Sequence, residues 1–116
     1  MATIELTKEL FEEKIADLSA KEWKFLGDKP AIIDFFANWC NPCKMVAPIL
    51  EELSEEYEGV DIYKLNTEEQ GELASTFGVQ SIPSILFIPM EGKPQMSVGA
   101  LPKESFVTAF KDVLGV

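Results

Sequence analysis

Ala31-Ile32-Ile33-Asp34-Phe35-Phe36-Ala37 is an almost unbroken apolar run with a single carboxylate in it. A strand that is apolar at successive positions, not alternate ones, needs cover on both faces. That is the pattern of a central strand in a sheet with helices above and below it. The segments around the run agree. Thr3-Ile4-Glu5-Leu6 reads as a short edge strand, and Thr7 as the N-cap of a helix over Lys8 to Leu18 with Leu10, Phe11, Ile15 and Leu18 on one face. Ser19 to Pro30 is a connection in which Trp23 and Phe25 read as packing over the sheet edge, the alternative being a ligand platform. A long helix is expected to run to about Tyr57, with Met45, Val46, Ile49, Leu50, Leu53 and Tyr57 as its buried stripe and Pro48 kinking it. Glu51, Glu52, Glu55, Glu56 and Glu58 read as its solvated face. Val60 to Leu65 reads as a strand, Gly71 to Phe77 as a short helix, and Ser84 to Ile88 as a strand. Gln95 to Val98 is the hairpin partner of that strand. Pro102 opens a last helix with Phe106, Phe110, Val113 and Leu114 inward. The predicted order is β-α-β-α-β-α-β-β-α, an α/β fold with a central mixed β-sheet flanked on both faces by helices.

The chain of 116 residues suits one domain, 1–116. With 47% hydrophobic residues it can build a core without covalent staples, which leaves its two cysteines free for chemistry. A formal net charge of −10 argues against nucleic acid as a ligand and against docking on anionic membranes. No apolar run approaches the ~20 residues of a membrane span. No signal peptide is read, so the expected compartment is cytoplasmic, or periplasmic if a leader has been removed.

Both cysteines lie in Trp39-Cys40-Asn41-Pro42-Cys43-Lys44, directly after the central strand, where open α/β sheets place their sites. A spacing of three is one helical turn, which brings both sulfurs to one face. Alpha carbons so placed are about 5–6 Å apart, inside the span a disulfide tolerates. Pro42 fits the first turn of a helix, which sets Cys40 at or just before the helix start. Free backbone N–H groups and the helix dipole favour a thiolate there, and the thiolate is the form that attacks disulfides. The pair therefore reads as a reversible dithiol switch with one activated sulfur. Two other readings stay open on spacing alone. A structural clip across so short a loop constrains the unfolded chain little. A closed zinc site needs about four Cys or His ligands, and the chain has two Cys and no His.

Ile33 to Lys44 resembles the active-site segment of the thioredoxin family. Pro48 matches its helix proline, and Lys64-Leu65-Asn66 the end of its central strand. Ser81-Ile82-Pro83-Ser84 is similar to its cis-proline loop, and Val98-Gly99-Ala100-Leu101 to its groove glycine loop. The resemblance covers about Ala31 to Leu114. It departs from the family at Asn41, where Gly is usual, and at Phe36, where Trp is common; the Ser19 to Pro30 connection is longer than in the smallest members.

The resemblance implies the thioredoxin fold and a thiol–disulfide oxidoreductase that reduces protein disulfides. Cys40 is then the nucleophile and Cys43 the resolving thiol. Asp34 is the candidate base, since a carboxylate amid Ile33 and Phe35 is expensive to ionise; the pattern alone leaves open an ordinary strand-end carboxylate. Lys64 is implied to lie near Asp34 and to temper that effect. Ile82-Pro83 is implied to be cis and to face the disulfide. Trp39, Pro42, Ile82, Pro83 and Gly99 are implied as an apolar substrate rim without a charge pattern. No bound cofactor or metal is expected. The implied partners are disulfide-containing proteins and an NADPH-dependent thioredoxin reductase, and the chain is expected to be a monomer. The rival readings are a disulfide oxidant or isomerase on the same fold, and a non-enzymatic binding module.

Overall fold

The computed structural model describes residues 3–116, so Met1 and Ala2 of the expected 1–116 domain lie outside the described residues. Five strands form one sheet in the order β1-β3-β2-β4-β5. They are β1 (Ile4–Glu5), β2 (Ala31–Phe36), β3 (Asp61–Asn66), β4 (Ser84–Ile88) and β5 (Gln95–Val98). The helices are α1 (Lys8–Lys14), α2 (Asn41–Glu56), α3 (Gly71–Thr76) and α4 (Lys103–Ala109), the last continued by a π-helical segment, Phe110–Leu114. β2 runs parallel to β3 and antiparallel to β4, so the sheet is mixed. The chain order is the one expected.

The central position of β2 explains its composition. Side chains alternate across a strand. Ile33 and Phe35 enter the layer shared with Phe11, Ile15 and Leu73 of the α1 and α3 side. Ile32 enters the opposite layer, with Val46, Leu50 and Leu53 of α2 and Phe106 and Phe110 beyond α4's start. Asp34 and Phe36 share Ile32's parity and so face α2. Trp23 and Phe25 pack against the α1 and α3 layer, which is a packing role.

Three expectations need correction. Helix α1 stops at Lys14, four residues short of Leu18. Asp17 takes both the backbone N–H and the hydroxyl of Ser19 (2.9 and 2.7 Å), and Leu26 N–H takes the carbonyl of Ile15 (2.8 Å), so the next helical turn has lost its partners. Met45 is 70% exposed and does not belong to the buried stripe of α2; Cys43, Val46, Leu50 and Leu53 define that stripe, and Met45 lies a full residue step round from it. The last helix does not stay α-helical to Leu114. It widens to π at Phe110, where the cap N–H of Gly115 returns to Phe110. Phe110 and Leu114 both remain buried in this wider turn. Thr7 caps α1 as expected, its hydroxyl accepting from Leu10 N–H at 3.1 Å. Helix α2 runs unbroken through Pro48, whose ring leaves the Lys44 carbonyl without its usual i+4 donor.

Candidate active site

The site lies where β2 ends and α2 begins. Cys40 is the N-cap residue of α2, with extended backbone (φ −86°, ψ 109°), followed by Asn41 and Pro42 in the first turn. Its sulfur accepts a hydrogen bond from Cys43 N–H at 3.2 Å, the service that a serine or threonine hydroxyl gives at other helix starts. Cys40 and Cys43 are joined as a disulfide with their alpha carbons 5.3 Å apart. Both residues are 3% exposed. Burial therefore does not distinguish them. Position does: Cys40 faces the orphan amides of the first turn, and Cys43 lies inside it.

Asp34 is fully buried on the α2 side of the sheet, and neither of its carboxylate oxygens meets a hydrogen-bond partner. Burial pushes its pKa up from an ordinary 3.8 to about 7, against the opposing pull of the Lys64 ammonium. Lys64 stands beside Asp34 in the β2–β3 register. Its Nζ lies 4.7 Å from the centroid of the Phe36 ring. A cleft of about 150 Å³, lined by Phe36, Cys43, Lys44 and Lys64 among others, opens beside the inner sulfur.

The other expected residues gather on the outer side. The Ile82–Pro83 bond is cis. Ile82 packs against the small cluster of Ala37, Cys40 and Cys43. Pro83 is buried rather than displayed, and its carbonyl accepts from Gly99 N–H at 2.8 Å. Gly99 has φ +104°, a conformation L side chains rarely adopt, so glycine is needed to bring that N–H round. Pro42 is exposed. Trp39 is 66% exposed and borders a groove of about 350 Å³ with Thr67, Ala74, Val79 and Ile82.

A carboxylate that is not among the expected rim residues stands beside Trp39. Trp39 Nε1 donates to Glu68 Oε2 at 3.0 Å. Asn66 Oδ1 in turn accepts from Glu68 N–H at 2.9 Å, and Thr67 N–H donates to the Phe36 carbonyl at 2.8 Å. From sequence, Asn66 reads only as a strand end, and Thr67 and Glu68 have no assigned role. The Asn after a strand is a recognisable turn signal, whereas nothing local joins Trp39 to a carboxylate 29 residues away. Among the described residues no cluster of three or more His, Cys, Asp or Glu could hold a metal ion. No helix among them is long and apolar enough to cross a membrane.

Comparison with known proteins agrees with this geometry. A family model described as Thioredoxin matches residues 2–112. The chain is 53% identical over 114 residues to a thioredoxin of Borreliella burgdorferi, covering 97% of each. It is 39% identical over 102 residues to a thioredoxin of Synechocystis, covering 87% of this chain and 95% of the relative. Among solved structures it is similar to chloroplastic thioredoxin z, with a TM-score of 0.78 and 28% identity over 93% of this chain and 90% of the other.

Proposed function

The chain belongs to the thioredoxin family and is a thiol–disulfide oxidoreductase of the disulfide-reducing type, and from that premise we propose how its residues divide the work. In the reduced protein the Cys40 thiolate, favoured by the first-turn amides of α2, attacks one sulfur of a substrate disulfide. That S–S bond breaks, the leaving sulfur takes a proton, and a mixed disulfide forms on Cys40. Asp34, as carboxylate, takes the proton of the Cys43 thiol. Cys43 then attacks the Cys40 sulfur, and the second substrate sulfur leaves and is protonated. Two electrons have passed to the substrate; its two protons come from solvent, which received one when Cys40 ionised and receives the other back from Asp34, and the Cys40–Cys43 disulfide remains.

The observation that carries this division is the pairing of an N-cap sulfur with a buried, partnerless carboxylate on the strand beneath the same helix. A base with a pKa of about 7 is matched to a thiol that must ionise near neutrality. Trp39, Ile82 and Gly99, with the exposed ring of Pro42, line the approach, and Pro83 acts from beneath through its carbonyl. An extended substrate segment fits against this loop.

We further assign the chain as one thioredoxin domain over 1–116, working as a monomer on disulfide-containing proteins and recharged by an NADPH-dependent thioredoxin reductase. A reducing direction needs a compartment that keeps thiols reduced, which supports the cytoplasm. The direct test is trapping. Cys43→Ser should accumulate mixed disulfides on Cys40, whereas Cys40→Ser should be inactive and trap little. Mass spectrometry of the adducts decides, and adducts mainly on Cys43 reverse the roles.

A further inference from the structure

Lys64 has a choice of neighbours. The register sets Glu5 of β1 on one side of it and Asp34 of β2 on the other. Among the described residues it forms an ion pair with neither. Its ammonium rests over the Phe36 ring instead, 4.7 Å from the centroid. Strand alternation explains why this is open to it: Asp34 and Phe36 lie two apart on β2 and so share a face with Lys64. The groups facing Asp34 are few. Lys64 comes from β3, and β4 presents Ile85, which does not titrate; α2, which covers this face of the sheet, begins at the Cys40–Cys43 disulfide. Lys44 lines the cleft beside Cys43, and Glu5 and Glu69 line the hollow of about 380 Å³ on the far side of Lys64.

We propose that Phe36 is a positioning residue: its ring holds the Lys64 ammonium at the mouth of the Cys43 cleft and so withholds it from Asp34. The inference rests on the reading of Asp34 as the base. A cation drawn to an aromatic face is held there by the ring's quadrupole, most strongly where water is scarce. Phe36 is half-buried, and Lys64 likewise. Remove the ring and the ammonium loses its seat. Two carboxylates flank it in register, Glu5 and the buried, partnerless Asp34; the buried one has no other partner, and a closer cation favours its ionised form.

The experiment is a carbon-13 NMR titration of the Asp34 carboxyl in the oxidised protein. Phe36→Leu keeps apolar bulk and removes the ring; Phe36→Met is a second ringless variant should the first fold poorly. Either should bind the Asp34 proton about two- to five-fold more weakly, as expected for a lost cation–aromatic contact. That is a downward move of about 0.3–0.7 pH unit in the inflection. Phe36→Tyr should leave it in place. In a Lys64→Met background the ringless change should have no effect. An unmoved inflection in the ringless variants, or an equal move without Lys64, overturns the proposal. Failure of the base reading would show separately: if Asp34→Asn reduces protein disulfides as fast as the parent, Asp34 is not the base, whatever the titration shows of Phe36.

Discussion

Asp34→Asn keeps the shape of the side chain and removes its ionisation, so it isolates what the buried carboxylate costs the fold. In the unfolded chain this group loses its proton near 3.8; in the folded chain it holds the proton to about 7. Between those values the folded state binds more protons, so parental stability must fall as pH rises, and the loss is complete above the folded pKa. The gap converts, at about 1.4 kcal/mol per pH unit, to roughly 4 kcal/mol. Asn brings two buried donors of its own, which cost about 1–3 kcal/mol if they find no acceptor. The donor cost is the same at every pH, so the mutant should gain roughly 4 kcal/mol on the parent between about pH 4 and about pH 8, and its net advantage above about pH 8 should be about 1–3 kcal/mol. Guanidinium melts of both oxidised proteins across that range measure it directly, and the slope of each melt checks that the unfolded states are alike. The same mutant should reduce protein disulfides more slowly near neutrality, because Cys43 has lost its proton acceptor. A stability difference that stays flat between the two ends of the range would refute the raised pKa, and with it the energetic basis for calling Asp34 a base.

Two more outcomes follow from other parts of the site. No His stands between the cysteines, and among the described residues the Cys43 amide is what donates to the Cys40 sulfur, so the reduction potential should lie nearer roughly −270 mV, itself a thioredoxin value, than the roughly −120 mV of a strong oxidant. Equilibration with glutathione buffers reads it, and a value more oxidising than about −180 mV would point to an oxidant or isomerase. Gly99→Ala should destabilise by about 1–3 kcal/mol through φ +104° alone, since nothing lies within 4 Å of the added methyl. It should also raise KM for protein substrates by loosening the N–H that holds the Pro83 carbonyl; an unchanged KM would separate Gly99 from the groove.

Much of the fold was legible because the apolar pattern obeys the layers. The β2 run needed cover on both faces and has it, and β4 and β5 begin and end where the hairpin pattern put them. The misses have particular causes. Helix α1 is ended by Asp17 and by Leu26 N–H, and the second of these is a bond from a distant loop. The π turn at Phe110 satisfies the same inward positions as an α-helix would, so the hydrophobic spacing does not reveal it. At the site, the cysteine pair and its helix start were readable from spacing and Pro42. The burial of Pro83 and the hold of Glu68 on Trp39 were not, since both depend on segments brought together only by the sheet. Asp34 lies between these cases: its strand showed that a charge there would be costly, but only the folded chain shows that no donor answers it.

The shielding of the Cys40–Cys43 bridge has a consequence for how electrons are routed. With each residue 3% exposed, a small thiol in solution finds almost no line of attack on the bridge. A protein docked over Ile82, as proposed above, would lie against the cluster that holds both sulfurs. Thermodynamic proximity to the glutathione pool therefore translates only slowly into exchange with it, and a glutathione equilibration has to be followed to its end point. The bridge behaves as an insulated contact, closed only by a partner of the right shape, and two thiol circuits can share one compartment without short-circuiting each other.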